Sequence, residues 1–381
     1  MQVSAIIFLI IISIITRYII LGLTGWKKPT SDLYWFAFKC FIIFFGIMLL
    51  PDKAAVKEIE KASIQGFSNT FILYYIFSAP LMEIGASARG AIVFINLMLS
   101  YSLALCLYNL ALFDKHKSKK AQYCYLLVLF YPDLFYFGLF SLRDIGIGVF
   151  AAFILIGLYM KNYKIIMIFS LALFFTRPEM ILWIMALFGL FFISKFRHNY
   201  AFLFTFVFFI AGIILAIPNF ILWYLEFNNW SVETLDVSYA INFLLENRYE
   251  RQFSDTDGSG STSPTLPEHI FYNLNLVSRT ILQGLSLIYL TLAPSSNIII
   301  LAIFTGIYPI YLMTKLLFKK FRLKFLMLSM SLFSFMIYSP FMVNGGNAFR
   351  LRTTFIILIF TTLSIWVREN NKPLKELIKN A

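Results

Sequence analysis

The stretch that decides the fold is residues 91–112, AIVFINLMLSYSLALCLYNLAL, a run of 22 residues without a charged side chain. About 20 mostly apolar residues in a helix are enough to cross the hydrocarbon core of a bilayer. The basic segment 114–124, DKHKSKKAQYC, follows almost at once. A charge-free run with a basic connector after it predicts a membrane-spanning helix whose C-terminal end is cytoplasmic.

The rest of the chain has the same character. Of its 381 residues 60% are hydrophobic and 13% are charged, whereas an average soluble domain has about 25% charged residues. This composition excludes a water-soluble globule and predicts an all-α, polytopic integral membrane protein, a single transmembrane domain over 1–381 with about 11 spanning helices. The predicted spans are 3–23, 33–50, 91–112, 123–140, 145–160, 165–176, 180–194, 201–224, 297–314, 325–342 and 353–368.

Two further apolar runs, 71–85 and 276–293, are predicted to be short re-entrant or interfacial segments. The first is short and contains Pro80 and Glu83, and the second follows Arg279 and ends before a proline. Irregular backbone at membrane depth is tolerated only where protein or a water-filled cavity surrounds it, so such segments would line a cavity. If 71–85 returns, the N-terminus is outside; if it spans, the N-terminus is inside. We favour the first arrangement.

The net charge of +13 indicates orientation in the membrane. Five short basic segments contain 17 of the 32 Lys and Arg residues but only three acids. These segments are 114–124, 161–164, 195–199, 315–324 and 368–381. Excess Lys and Arg in short loops marks the cytoplasmic side, so the C-terminus is predicted to be cytoplasmic. Because a nucleic-acid-binding protein would cluster this charge on one face, no nucleic-acid partner is expected.

The connectors left on the outer side include one long stretch, 226–296. It is predicted to be a large outer loop region that contains the second re-entrant segment. Within it, 254–265 is rich in Ser, Gly and Asp, which is the composition of a flexible linker. A mobile loop is therefore expected there.

Two tight outer turns carry arginines with acids beside them, Arg143 with Asp144 and Arg177 with Glu179. An ionisable residue at or in a bilayer is costly and marks a substrate pathway by default. Arginine recognises phosphate well through paired hydrogen bonds from its planar guanidinium. The alternative is that each arginine reaches the lipid headgroups or pairs with its neighbouring acid.

A third outer connector carries Arg350 and Arg352 after Asn344-Gly-Gly-Asn347. If the chain remains extended there, residues two apart point to the same face, and the two guanidinium groups would converge on a backbone nest suited to anions. In a helix they would point apart. The alternative is a basic stop at the end of a span.

A reaction at these arginines would also need a base. His269 is the only histidine predicted outside and could titrate near neutral pH; Asp133, Asp144 and Glu179 are rival bases. The segment 255–258 resembles the opening of a calcium loop, but the later ligands of that motif are missing. No metal site and no cofactor are expected.

The layout as a whole resembles the O-antigen and exopolysaccharide repeat-unit polymerases of bacteria. Similar features are the Leu-Arg-Asp turn after the aromatic stretch 131–144, the Thr-Arg-Pro-Glu turn, the single large outer loop and the late Arg-x-Arg after glycines. The resemblance covers the arrangement of most of the chain. It does not depend on any strict motif.

This resemblance implies an inverting, metal-independent membrane glycosyltransferase with a GT-C-like fold. Such an enzyme joins oligosaccharide repeat units carried on undecaprenyl pyrophosphate at the periplasmic face of the bacterial inner membrane. A separate chain-length regulator is an implied partner, besides the lipid bilayer. Carried onto this chain, the pyrophosphate contacts would be Arg143, Arg177, Arg279, Arg350 and Arg352, and the base His269, Glu179 or Asp144.

Two other functions remain open. A polyprenyl-phosphate-dependent transferase of single sugars would commonly need a carboxylate pair, for which only Glu58 and Glu60 are suitably placed. A flippase for lipid-linked oligosaccharide would be expected to show two related halves, and none is evident.

Overall fold

A computed structural model of the chain describes residues 3–49, 62–64, 72–112, 119–139, 144–177, 180, 184, 299–317 and 345–370. Of the structure, 91% is helical and none of the described residues lies in a strand. The prediction of an all-α fold is thus confirmed for the part of the chain that is described. The larger prediction, about 11 spans, extends over segments outside it.

The described helices follow the apolar runs of the sequence. In chain order they are α1 (Val3–Thr24), α2 (Asp32–Leu49), α3 (Ile72–Glu83), α4 (Ala88–Ala111), α5 (Lys119–Phe130), α6 (Pro132–Leu139), α7 (Asp144–Met160), α8 (Tyr163–Thr176), α9 (Ile299–Leu317) and α10 (Gly345–Asn370). Among them, the stretches Ser4–Thr24 and Ala88–Ala111 are long and apolar enough to cross a membrane.

The run 123–140 was predicted to form one helix, and this prediction is wrong. Helix α5 ends at Phe130, Tyr131 lies between helices, and α6 begins at Pro132. Proline has no backbone N–H and restricts the residue before it to extended conformations. It is well tolerated as the first residue of a helix, so the chain ends one helix and starts another at this point.

The chain divides into two compact units. The first contains Met1–Thr176 and Ile356–Ala381, and the second contains Arg177–Phe355. Most of the described helices belong to the first unit. The second contains α9 and the N-terminal part of α10.

Helices α2 and α4 lie antiparallel in the first unit. Near the end of α2, the carbonyl oxygen of Ile47 accepts a hydrogen bond from Nη1 of Arg89, at the start of α4. Before the start of α2, the backbone N–H of Lys27 donates to Oδ1 of Asn109 near the end of α4, at 2.9 Å, and Nδ2 of Asn109 donates to the Lys27 carbonyl at 3.0 Å. The chain therefore leaves α2 and enters α4 at the same end of this unit.

Basic connectors gather at the other end, beside Lys27. Helix α5 begins there with Lys119 and Lys120, and it lies antiparallel to α10, because Cys124 lies beside Ser364 and the rings of Tyr131 and Phe360 are 4.9 Å apart. We call this the basic end of the first unit, and the end at Ile47 and Arg89 the opposite end.

The end of α10 also meets the end of α7. Tyr159 is hydrogen-bonded to Glu369 and has Arg368 as a charged neighbour. The turn after α7 contains Lys161, and Lys164 follows in the first turn of α8. The basic residues of this turn and of α10 are thus at the basic end as well.

Polarity in the first unit is inverted relative to a soluble protein. On α1 the side chains of Ile7, Ile11 and Ile15 are about half exposed, at 53%, 52% and 51%, whereas Ser13 and Arg17 are buried. Large apolar side chains are likewise exposed along α2 and α8. On α1, apolar side chains therefore face outward, and the polar Ser13 and charged Arg17 face the interior.

Candidate functional site

A carboxylate lies buried near the basic end, where α1, α2, α4 and α5 meet. Asp32 Oδ2 forms an ion pair with Nη2 of Arg17 and accepts hydrogen bonds from Nε of Arg17 at 2.9 Å and from the Tyr101 hydroxyl at 3.1 Å. Asp32 Oδ1 accepts from the Tyr125 hydroxyl at 2.7 Å. We call these four residues the Asp32 network; it joins four helices through one carboxylate.

A lysine is buried farther along α2. Lys39 is 1% exposed, and its ammonium donates to Oγ of Ser100 at 3.2 Å. Ser100 in turn donates to the Leu97 carbonyl at 2.9 Å. Within the described residues no carboxylate forms an ion pair with Lys39. Ser100 is its hydrogen-bonding side chain there.

Of the predicted bases the structure describes two: Asp133, in the first turn of α6 and 1% exposed, and Asp144. Asp144 is the first residue of α7 and 2% exposed. The start of a helix suits an acidic side chain, because the free N–H groups of the first turn favour negative charge. A carboxylate is therefore held at a defined position inside the first unit.

Arg177 follows the end of α8 and is 9% exposed. Its carbonyl accepts a hydrogen bond from the N–H of Met180 at 2.9 Å. This bond closes a tight turn directly after the helix, as the sequence Arg177-Pro178 suggested. The arginine is thus buried at a helix end and does not extend into solvent.

Arg352 is the most deeply buried of the predicted arginines. It lies in the part of α10 that belongs to the second unit, has no exposed surface, and donates from Nη2 to Oγ1 of Thr305 at 2.7 Å. Thr305 is on α9. The guanidinium is therefore held between two helices by a neutral hydroxyl.

The sequence left two arrangements open for Arg350 and Arg352, and the structure shows the helical one. Helix α10 starts at Gly345 and includes both residues. Residues two apart on a helix are separated by about 200° around its axis, given 3.6 residues per turn. The glycines begin a helix here, so positions 350 and 352 lie on different faces of it.

Several predicted site residues lie outside the described part of the chain. They are Arg143, Glu179, His269 and Arg279, together with the loop regions 226–296 and 254–265. Their assignments remain predictions. For Arg350 the structure gives the helical backbone alone.

Sequence reasoning missed Arg17, Asp32 and Lys39. Arg17 and Lys39 are the only charged residues within the first two apolar runs, and a charge within such a run is itself a signal of function. The rule that singles out the arginines of the outer turns holds equally for these two residues. Tyr101 and Tyr125 gave no signal, since tyrosine is frequent throughout the chain.

Within the described ranges, no group of three or more His, Cys, Asp and Glu side chains is placed to hold a metal ion. Charged groups that are described include buried arginines, a buried lysine and buried carboxylates. Such groups can bind an anion or transfer a proton.

No protein-family model, curated protein or solved structure matches this chain. What the chain does therefore has to follow from the chemistry of its own residues.

Proposed function

We propose that this chain is an O-antigen polymerase, a membrane glycosyltransferase that joins repeat units carried on undecaprenyl pyrophosphate. The observation that carries the proposal is the buried guanidinium of Arg352, which has no exposed surface and donates to the Thr305 hydroxyl at 2.7 Å. A lipid-linked pyrophosphate brings negative charge to the edge of the hydrocarbon region. A buried arginine is suited to receive it, because its planar fork binds phosphate oxygens in pairs.

A membrane location is supported by the inverted polarity of the first unit. Exposed isoleucines on α1 lie on one side of the helix, and Ser13 and Arg17 lie on the other. Large exposed apolar surfaces on a monomer mark contact with a membrane or a partner. Two described stretches also have the length and composition of a span.

Orientation is supported by the grouping of basic connectors. Lys27, Lys119, Lys161 and Arg368 are at the basic end of the first unit, as described above. Since Lys and Arg accumulate in cytoplasmic loops, we assign the basic end and the C-terminus to the cytoplasm. The opposite end then faces the periplasm, where the carrier-linked repeat units would be joined.

In the proposed reaction, Arg177 and Arg352 bind the pyrophosphate of the donor. Charge develops on the pyrophosphate as its bond to the sugar breaks, and fixed positive groups that stabilise this charge lower the barrier. The acceptor hydroxyl transfers its proton to a base, for which the resemblance offers His269, Glu179 or Asp144. By resemblance, the reaction inverts the anomeric carbon and needs no metal.

The test is Arg352→Ala in cells that make O-antigen. We expect chain extension to fall about 100-fold or more, the loss typical of removing one donor to a developing anion. Lipid A should then carry single capped repeat units in place of long chains, which gel electrophoresis of lipopolysaccharide shows directly. Arg352→Lys should recover part of the activity, since it keeps the charge but loses the paired hydrogen bonds.

Arg368→Ala is the matched control, because Arg368 lies on the same helix but near its C-terminal end. We expect normal chain lengths from it. Normal chains from Arg352→Ala would contradict the proposal. Loss of every repeat unit from the surface would instead indicate a flippase, and chelator-sensitive activity on purified lipid-linked substrate would indicate a metal-using transferase.

A further inference from the structure

The short helix α3 places a tyrosine inside the first unit. Tyr74 is 1% exposed, and its hydroxyl donates to Oδ1 of Asn96 on α4 at 2.8 Å. Asn96 is also 1% exposed. The hydroxyl is therefore a buried hydrogen-bond donor with a fixed acceptor.

The same hydroxyl lies against the first turn of α7. A Cβ atom added to Gly146 would collide with the Tyr74 hydroxyl oxygen, and it would lie 3.2 Å from Tyr74 Cζ and 3.4 Å from Leu99 Cδ1. Any side chain at position 146 would have to displace the tyrosine. Glycine is thus required at this position for the close approach, independent of backbone conformation.

Asp144 is part of that same turn. It is two residues before Gly146, so the two Cα atoms are about 5 Å apart in a regular helix. Asp144 is 2% exposed. Tyr74 therefore contacts both Asn96 on α4 and the turn that contains the buried carboxylate.

The path of the chain explains how α3 reaches this depth. Helix α2 ends and α4 begins at the same end of the first unit, the end at Ile47 and Arg89. The chain that connects the two helices therefore starts and finishes at that end. Asn96 is seven residues beyond Arg89, about 10 Å along the α4 axis. With 12 residues, α3 is about 18 Å long, so it extends from the level of Asn96 back toward the start of α4.

We propose that Tyr74 is a positioning residue that fixes Asp144 for the glycosyl transfer, an inference that rests on the proposed function. In that step the acceptor oxygen forms a bond to the anomeric carbon and gives its proton to the Asp144 carboxylate. The bond from the anomeric carbon to the pyrophosphate oxygen breaks, and its electron pair leaves with the pyrophosphate. The carboxylate must be aligned with the acceptor hydroxyl, and a misplacement of about 1 Å can cost about 100-fold in rate.

The experiment uses Tyr74→Phe, Gly146→Ala and the double variant that combines these two. Gly157→Ala is measured beside them for comparison. Gly157 is the matched control, since it lies on α7 too and an added Cβ would be crowded, 2.9 Å from Ile166 Cγ1 and 3.3 Å from the Asn162 carbonyl. However, it is near the far end of the helix from Asp144. Purified protein and undecaprenyl-pyrophosphate-linked repeat units give kcat, KM and the pH profile of kcat.

We expect Tyr74→Phe to lower kcat about tenfold and Gly146→Ala about 100-fold, with KM changed less than twofold. Both should shift the pH profile of kcat, because both move the base. In the double variant the hydroxyl that clashes with the new Cβ is gone, so the loss should be smaller than the product of the single losses. Gly157→Ala should keep kcat and the pH profile, even if it unfolds at a lower temperature.

Equal losses of kcat from Gly146→Ala and Gly157→Ala, or an unchanged pH profile in Tyr74→Phe, would show a purely structural contact and overturn the inference. The proposed function would still stand in that case. A wild-type chain that joins no repeat units would overturn the proposed function, and this inference with it.

Discussion

At the scale of single residues, the Asp32 network makes a prediction about stability. Removal of one partner of a buried ion pair leaves the other charge uncompensated, which costs about 3–5 kcal/mol. We therefore expect Arg17→Leu and Asp32→Leu each to lower the free energy of unfolding by about that amount. The double variant should lose less than the sum of the two, since neither charge remains. Chemical unfolding in detergent measures all three.

Lys27→Ala is the control for this series, because Lys27 is a charged residue of the α1–α2 connector with an exposed side chain. It should change the free energy of unfolding by less than about 0.5 kcal/mol, as surface substitutions usually do. Additive losses in the Arg17 and Asp32 double variant would mean that the two residues act independently, contrary to the observed ion pair.

Single residues also show where sequence reasoning fails. Two glycines before Arg350 permit a tight turn, yet the same glycines can begin a helix, and local sequence does not decide between the two. The apolar run that follows extends the helix back through both arginines. In contrast, the burial of Arg177 beside a helix end agrees with its place before Pro178.

At the scale of elements, the bounds of most described helices followed from apolar runs and their flanking residues. The run 3–23 became Val3–Thr24, and the run 145–160 became Asp144–Met160. Which helices are neighbours could not be predicted in this way, because contacts such as Tyr125 with Asp32 join residues 93 positions apart. The Asp32 network was missed for this reason.

Helix α3 gives a prediction about topology. In a variant without the native Cys40, Cys106 and Cys124, we expect Ser4→Cys and Ser87→Cys to react with an impermeant maleimide from the periplasmic side. Ser4 and Ser87 both lie toward the end at Ile47 and Arg89 if the chain between α2 and α4 begins and ends on the same side of the membrane. Lys27→Cys, at the basic end, should react only after the inner membrane is permeabilised.

Ser4→Cys and Ser87→Cys must behave alike for this topology to hold. If they were labelled from different sides of the membrane, α3 would have to cross it, and the antiparallel arrangement of α2 and α4 would be contradicted. Comparison of intact and permeabilised cells gives the answer without purified protein.

At the scale of the whole molecule, inverted polarity predicts how the chain responds to surface charges. Ile11 and Ile15 are about half exposed on α1. If they face lipid, a lysine at either position costs about 2.5–3.5 kcal/mol in insertion, so Ile11→Lys/Ile15→Lys should greatly reduce the amount of chain in carbonate-washed membranes. Thr24→Lys, at the exposed end of the same helix, should not.

Unchanged recovery of the double lysine variant from washed membranes would contradict a lipid-facing α1. On a water-soluble protein the same exposed substitutions would change little, which makes the measurement decisive. Composition was enough to predict a lipid-facing surface, because a chain with this many apolar and this few charged residues differs from a soluble domain. A catalytic site depends on distances between a few atoms, which composition does not contain.

The Asp32 network also has a consequence for the order in which the protein is made. Arg17 and Asp32 are 15 residues apart, so the first helical hairpin carries its own neutralised charge pair as it leaves the ribosome. At about 5–20 residues per second, Tyr125, 93 residues after Asp32, is synthesised about 5–20 s later. By contrast, Ser100, the hydrogen-bond partner of Lys39, is synthesised 61 residues after it. If the first unit lies in a membrane, as proposed, the first hairpin can thus enter the bilayer early, before the later helices are made.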